Sequence, residues 1–467
     1  MNHVLNSAAG RRGVTVGLGA CAVLAAALTS PALAGGPTIG PQIRIDVNGG
    51  TEAANETTAV ANSQNPNEIV AAWNDWRFSN ANEIINMGVA VSIDGGQTWD
   101  DFVVRPPQGF QTTVEGDPMT AIDRRTQNIW VGAIAFSGGG LYVARKAPGD
   151  STFQPSVMAD TSGFIDKCWM AAGPRAGNPN STRVYIAYNE GAVWSDDLGN
   201  SWTSPTSLGS GLGFLPRFGP NGEIYISYWS FSQQSFRIAR SLDNGASFQD
   251  FLIANRMDTW STETFNTRFP GTMRVPPLPS IAVDQNDGTI YCVYPDTTNF
   301  VDGNANVDTY FTKSVNQGQT WTTPVVISTE KNFTGDQFFQ WIEVDDAGRI
   351  HQIYYDTSNT DQDDNVTNGF LDAYYDYSLD GGDTWIANRL TPTPFNADDD
   401  GLNRSSQFLG DYLGIGYAGD NVYPVYVDSR NGDTDTYIHV VSFDGGGQPP
   451  ECEEDINGDG QVDVQDL

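Results

Sequence analysis

The chain writes one eight-residue phrase five times, and that repetition limits its fold more than any other feature. The copies are Ser92-Ile-Asp94-Gly-Gly96-Gln-Thr98-Trp99, Ser195-Asp-Asp197-Leu-Gly199-Asn-Ser201-Trp202, Ser241-Leu-Asp243-Asn-Gly245-Ala-Ser247-Phe248, Ser314-Val-Asn316-Gln-Gly318-Gln-Thr320-Trp321 and Ser378-Leu-Asp380-Gly-Gly382-Asp-Thr384-Trp385. An Asp or Asn side chain accepts hydrogen bonds from backbone N–H groups just ahead of it, glycine supplies a positive φ, and the closing aromatic is a large apolar body for packing. Each phrase therefore predicts a tightly held turn between two strands. The start-to-start spacings are 103, 46, 73 and 64 residues. Repeats of roughly 40 to 50 residues are the mark of propeller blades, so 46 is one blade and 103 is two.

Upstream of the turns a second pattern recurs: an apolar run, a Gly/Asp/Asn turn, and a run rich in Ile, Val and Tyr. It is clearest at Pro279–Val283 with Thr289–Tyr294 and at Phe339–Val344 with Arg349–Tyr355, and it returns often enough to give seven units. The expected fold is all-β: a β-propeller of about seven four-stranded blades. Blade two lacks the phrase, keeping only Thr152-Phe153, and blade seven shows half of it, Ser442-Phe-Asp444-Gly-Gly446. The strand missing from blade seven is expected from Gln42–Val47, pairing with residues 436–443 to close the ring and remove exposed edges.

The pattern S-x-D-x-G-x-T-W resembles the Asp-box, or BNR repeat, and residues 42–446 are similar to the sialidase-like propellers that carry it. The resemblance implies that the phrase sits on the turn between the third and fourth strands of each blade, on the face away from the active site, where it is scaffold. Catalytic sialidases also carry an Arg-Ile-Pro motif, which is absent: the nearest strings are Arg44-Ile-Asp46 and Pro216-Arg-Phe218. Arg77, Arg217, Arg268 and Arg430 can supply guanidinium groups, but no motif assigns them. Sialidase activity is thus not expected, although a related glycoside hydrolase is.

If the phrase marks one face, antiparallel strand order sends the ends of the second strands to the other. Those ends carry Asp75, Glu190, Asp296, Asp356 and Asp428, the candidate catalytic carboxylates, with Trp76, Arg77, Asp117, Asp411 and Arg430 as candidate substrate-binding residues. Two carboxylates can serve as acid and base or as acid and nucleophile in glycoside hydrolysis, while aromatic faces stack on sugar rings. The plain alternative is that each Asp caps a turn. Insertions at Arg256–Pro277, Asp356–Leu371 and Pro394–Gln407 are where a rigid propeller would place binding loops. Asp302-Gly-Asn304-Ala-Asn306-Val-Asp308 alternates oxygen side chains in the manner of a calcium loop, or simply of a turn.

The chain divides into residues 1–34, 35–447 and 448–467. The first segment, with Arg11-Arg12, an apolar run from Val14 to Leu28 and Ala32-Leu33-Ala34, reads as a signal peptide, so the protein is expected to be extracellular, secreted or attached to the cell surface. The formal charge of the whole chain is −33, which disfavours nucleic acid and anionic lipid as partners. Cys168 and Cys292 fall in strand-like runs of different blades and read as buried thiols, and only His351 and His439 lie beyond the signal, too few for a histidine-based hydrolase or zinc site.

In the last segment Asp455, Asn457, Asp459, Gln461, Asp463 and Asp466 occupy the ligand positions of a twelve-residue calcium loop, with Gly460 at its sharp turn. The loop resembles half of a type I dockerin, which implies calcium as cofactor and a cohesin-like or cell-surface anchor as partner. Two functions stay open at this point: a secreted glycoside hydrolase tethered by this tail, or a noncatalytic propeller that binds a glycan or protein.

Overall fold

The computed structural model describes residues 36–78, 85–110, 115–135, 140–162, 165–189, 191–257, 275–301, 304–327, 335–357, 369–402 and 408–444. The signal-like segment, Glu190, Arg268, the core of each insertion and the whole calcium-loop tail lie outside them. Among the described residues no helix is long and apolar enough to cross a membrane.

Seven antiparallel sheets account for the strands. Blade 1 runs Ala54–Ala61, Ile69–Asp75, Asn86–Ser92 and Asp100–Val104, and blades 2 to 6 repeat that order. The first strand of each blade packs against the first strand of the next, and Gly414–Ala418 of blade 7 packs against Ala54–Ala61 of blade 1, so the ring is closed. The fold is therefore a seven-bladed β-propeller, as the repeat implied. Blades pack face to face, so second strands such as Ile69–Asp75 and Ile224–Ser230 are buried on both faces. That is why they read as continuous apolar runs instead of alternating. Outer strands such as Thr206–Ser207 are exposed and polar.

Blade 7 takes its outer strand from the other end of the chain. Ile43 and Arg44 pair with Ile438 and Tyr437, and Thr38 and Ile39 pair with Ser442 and Val441. The predicted closure is thus present, and a second short strand ahead of it adds to the seal.

The five repeated phrases are the turns between third and fourth strands, and they share one bonding scheme. In the first, Ser92 Oγ donates to Asp94 Oδ1 (2.9 Å) and accepts from Gly96 N (2.9 Å), Asp94 accepts from Thr98 N and Oγ1 (2.9 and 2.5 Å), and Trp99 Nε1 donates to Gly96 O (3.1 Å). The Ser378 copy repeats it with Asp380, Gly382, Thr384 and Trp385. In the fourth copy Asn316 accepts from Ser314 and from Thr320 N as the aspartates do, but without a charge and with one bond reversed, its Nδ2 donating to Thr320 Oγ1 (2.8 Å). The phrase glycine lies in the left-handed region, φ 91° at Gly96 and at Gly382, and abuts the preceding blade: a Cβ on Gly382 would fall 2.3 Å from Phe311. Only glycine meets both demands.

At the opposite face the sequence hid a recurrent device. First strands of blades 1, 2, 4 and 6 carry a β-bulge, between Asn55 and Thr58, Gly116 and Met119, Leu212 and Leu215, and Phe338 and Trp341. Its left-handed residue is Glu56 (φ 57°), Asp117 (50°), Gly213 (71°) or Phe339 (56°), and Lys167 (53°) enters blade 3 the same way. Bulges re-aim side chains near the ends of strands, and a bulky residue at positive φ is uncommon. Of the segment read as a calcium loop or a turn, residues 304–308 lie on the third strand of blade 5, where Asn304 pairs with Val301 and Asp308 with Asp296; residues 302 and 303 lie outside the described residues. The insertion after Pro394 contributes Phe395–Asn396, which extends blade 6 by pairing with Phe370–Leu371.

Candidate functional site

Three storeys of side chains lie on the propeller axis, each assembled by contacts between blades that do not adjoin. The bulges build the storey at the face away from the phrase turns. Lys167 of blade 3 reaches Asp411 of blade 7, and its ammonium lies 3.9 Å from Glu56 of blade 1, 4.0 Å from Asp117 of blade 2 and 3.9 Å from Asp166. Lys167 N also donates to Asp117 (2.6 Å), and Asn74 donates to Glu56 (2.6 Å). Glu56, Asp117, Lys167 and Asp411 are all buried. Four carboxylates gathered on one ammonium need that ammonium, because buried like charges repel strongly without it.

The middle storey is aromatic. Trp169 of blade 3 meets Trp341 of blade 6 with ring centroids 6.1 Å apart, and Tyr412 of blade 7 lies 5.4 Å from Trp169 and 6.4 Å from Trp341. Blades 3 and 6 stand across the ring from one another, so these rings plug the channel. Below the plug, on the phrase-turn face, is a cavity of about 400 Å³ with Trp169 and Trp341 in its lining.

Around the upper storey the predicted carboxylates divide into two kinds. Asp75 is held by Arg77 (2.7 Å), which also pairs with Asp101, and Asp428 is held by Arg430 (2.9 Å) and Gln42 (3.3 Å). Both acids are buried, each accepts the backbone N–H two residues on, and both read as turn caps locked by arginine. Arg77 and Arg430 are thereby committed to internal pairs. Trp76 is 4% exposed and packs with Ala53, Ile85 and Leu402, so its ring is core and not a stacking platform. Asp296 accepts from Met257 N (2.7 Å) and Thr297 N (2.8 Å). Asp117 and Asp411 come together on Lys167, as described. Glu190 lies outside the described residues, as do the six tail residues.

Asp356 belongs to a different group. It accepts from Gln337 Nε2 (3.0 Å) and is buried at the end of blade 6's second strand. Close by, Asp308 of blade 5 is only half-buried, and burial together with the charge of Asp356 pushes its carboxyl up to about 7. Asp336 joins the two blades by accepting from Val307 N (2.8 Å). Glu115, which accepts from Tyr142 (3.0 Å), is also pushed to about 7, by burial. Asp308 was missed as a catalytic candidate because it sits on a third strand; its cross-strand register with Asp296 was the signal. Among the described residues no group of three His, Cys, Asp or Glu side chains is placed to hold a metal ion.

The site and ring define a seven-bladed propeller with a plugged axis and an acid-rich upper face. No family model and no curated protein matches this chain. Among solved structures it is similar to the intramolecular trans-sialidase from Ruminococcus gnavus, at 14% identity over 85% of this chain and 97% of that one, with a TM-score of 0.42. It is also similar to the GH93 α-L-arabinofuranosidase of Fusarium graminearum (11%, 86% and 98%, 0.44) and to YCF48 bound to D1 peptide (11%, 88% and 100%, 0.45).

Proposed function

We propose that the protein is a glycan-acting propeller that hydrolyses a glycosidic bond at the face opposite the phrase turns, with Asp308 as proton donor and Asp356 as the paired carboxylate. The observation that carries this reading is Asp308: a half-buried carboxyl beside a second carboxylate, with its proton retained near neutrality. Glycoside hydrolysis needs two carboxyl groups whose environments separate their proton affinities, one to protonate the leaving oxygen and one to act ionised. Asp308 is raised by burial and by the nearby Asp356, which accepts a hydrogen bond from Gln337.

Two features favour a second reading, a noncatalytic propeller that binds glycan at the same face. Asp75, Asp296 and Asp428 are consumed by structural bonds, and the axis is plugged by Trp169, Trp341 and Tyr412. In either reading the signal-like segment would export the chain, and the tail loop would bind calcium and dock to a cohesin-like or cell-surface partner. Turnover of a panel of aryl glycosides and polysaccharides decides between them. Hydrolysis that falls by about 10²- to 10⁴-fold in Asp308→Asn, with an alkaline limb near pH 7 in the parent, supports the first. Glycan binding without turnover on any substrate supports the second.

A further inference from the structure

The cavity on the phrase-turn face has no part in that proposal, yet it is built like a site. Its volume of about 400 Å³ falls within the roughly 300 to 1,000 Å³ of small-molecule pockets. Aliphatic walls such as Met119, Val283 and Ile415 surround a polar inner end, where Arg217 of blade 4 reaches across to Glu343 of blade 6 (2.6 Å). Trp341 Nε1 donates to the same Glu343 oxygen, Oε1, at 3.2 Å.

Two donors in this lining are buried without any acceptor among the described residues: Arg217 Nε and Trp169 Nε1, the latter on a side chain only 4% exposed. A buried N–H left unbonded costs about 1–3 kcal/mol, so both call for an acceptor from outside the protein. Burial raises the Glu343 carboxyl, while both its protein donors converge on Oε1 and leave Oε2 for a donor. Nearer solvent, Arg124 stacks 3.6 Å over the Tyr417 ring, donates to Tyr417 O (2.8 Å) and pairs with Asp346 (3.4 Å).

The charges in this lining cancel locally, Arg217 against Glu343, Arg124 against Asp346 and Arg125 against Asp123. An ionic ligand would have to break one of these pairs. What fits is an uncharged molecule with an apolar face, acceptor oxygens for the two free N–H groups, and a hydroxyl for Glu343. From this match we infer that the cavity is a second binding site for one neutral pyranose unit, bounded at the plug by Trp169 and Trp341. The site is separated from the upper face by the aromatic plug and does not depend on hydrolysis there.

The test is titration of the full chain, by calorimetry and saturation-transfer NMR, with methyl glycosides of glucose, galactose, mannose, xylose and N-acetylglucosamine. Free sialic acid and phenol serve as charged and purely aromatic probes. At least one methyl glycoside binds, and affinity falls tenfold or more in Arg217→Met and in Glu343→Gln. Ala172→Phe, which fills the cavity and touches neither charge, abolishes binding while the melting temperature holds, so misfolding does not imitate the result. No binding of any neutral glycoside at millimolar concentration, binding unchanged in Ala172→Phe, or preference for sialic acid or phenol would each overturn the proposal. Aryl glycoside hydrolysis is read separately in Asp308→Asn, so each reading can fail while the other stands.

Discussion

The same residue, aspartate, does opposite things at the two ends of these blades. On the phrase-turn face Asp243 is exposed and Asp94 partly so, and both are surrounded by donors, so the Thr98 or Ser247 hydroxyl and amide lead in pulling their carboxyls down to about 2. On the other face Asp308 and Glu115 are withdrawn from water with fewer donors, and burial lifts them to about 7. Hydrogen bonding stabilises the ionised form, and desolvation penalises it. The phrase-turn carboxylates act as acceptors that hold turns, while the other face adds to its own turn caps, Asp75 and Asp428, carboxyls that keep their protons near neutrality.

The largest expected effect comes from Lys167, which holds the upper face's acids together. Lys167→Met leaves Glu56, Asp117, Asp166 and Asp411 without their shared cation, and we expect a loss of about 3–5 kcal/mol in denaturant unfolding. An unchanged midpoint would mean that water or ions already screen this cluster.

Next comes the pH dependence of the fold. Asp46, Glu115 and Asp308 have native carboxyls raised to about 7 from usual values of 3.8, 4.5 and 3.8. The native state holds their protons more tightly than the unfolded chain, so the stability they contribute is full below about pH 4 and lost as pH rises through 7. Asp94 and Asp243 run the other way: their contribution is present above 3.8 and lost as pH falls through about 2. We therefore expect the melting temperature to peak near pH 4–5 and to fall by on the order of 5 °C toward pH 8. Calorimetry that finds a maximum at pH 8 would reverse the assignment of the two faces.

A smaller change tests the turns alone. Ser92→Ala removes the bonds to Gly96 and Asp94 and should cost about 1 kcal/mol with no effect on glycoside turnover or binding. The smallest effect separates copies of the phrase: Asn316 has no charge to titrate, so below about pH 2 the Thr320 amide keeps its protection from hydrogen exchange while that of Thr98 weakens. Equal loss at both would show that charge on the aspartate is irrelevant to the turn.

The phrase turns were legible because their bonds are local: every partner of Asp94 lies within four residues of it in sequence. Blade count, face assignment and the pairing of Ile43 with Ile438 followed from that periodicity and from the rule against open edges. The candidate site was less legible because its contacts are long-range. Arg77 beside Asp75 looked like a substrate ligand, yet its guanidinium is spent on Asp75 and Asp101. The importance of Asp308 depends on Asp356, a strand of the next blade. Nothing in the residues around Glu56 or Lys167 announced the positive φ that turns both toward the axis.

The strand that seals blade 7 has a consequence for how the ring comes into being. Gln42 donates to Tyr426 across 384 residues, so a segment made before any blade docks only after the last blade exists. Loop-closure entropy grows only with the logarithm of length, about 0.6 kcal/mol for each doubling. Joining ends this distant, compared with closing one blade, therefore costs roughly 2 kcal/mol more, a modest sum. The greater cost is time: until that late docking, blade 7 presents an unpaired edge to every neighbouring molecule. Whatever accompanies the nascent chain has to shield that edge, and the first and last strands of the ring mature together as one clasp.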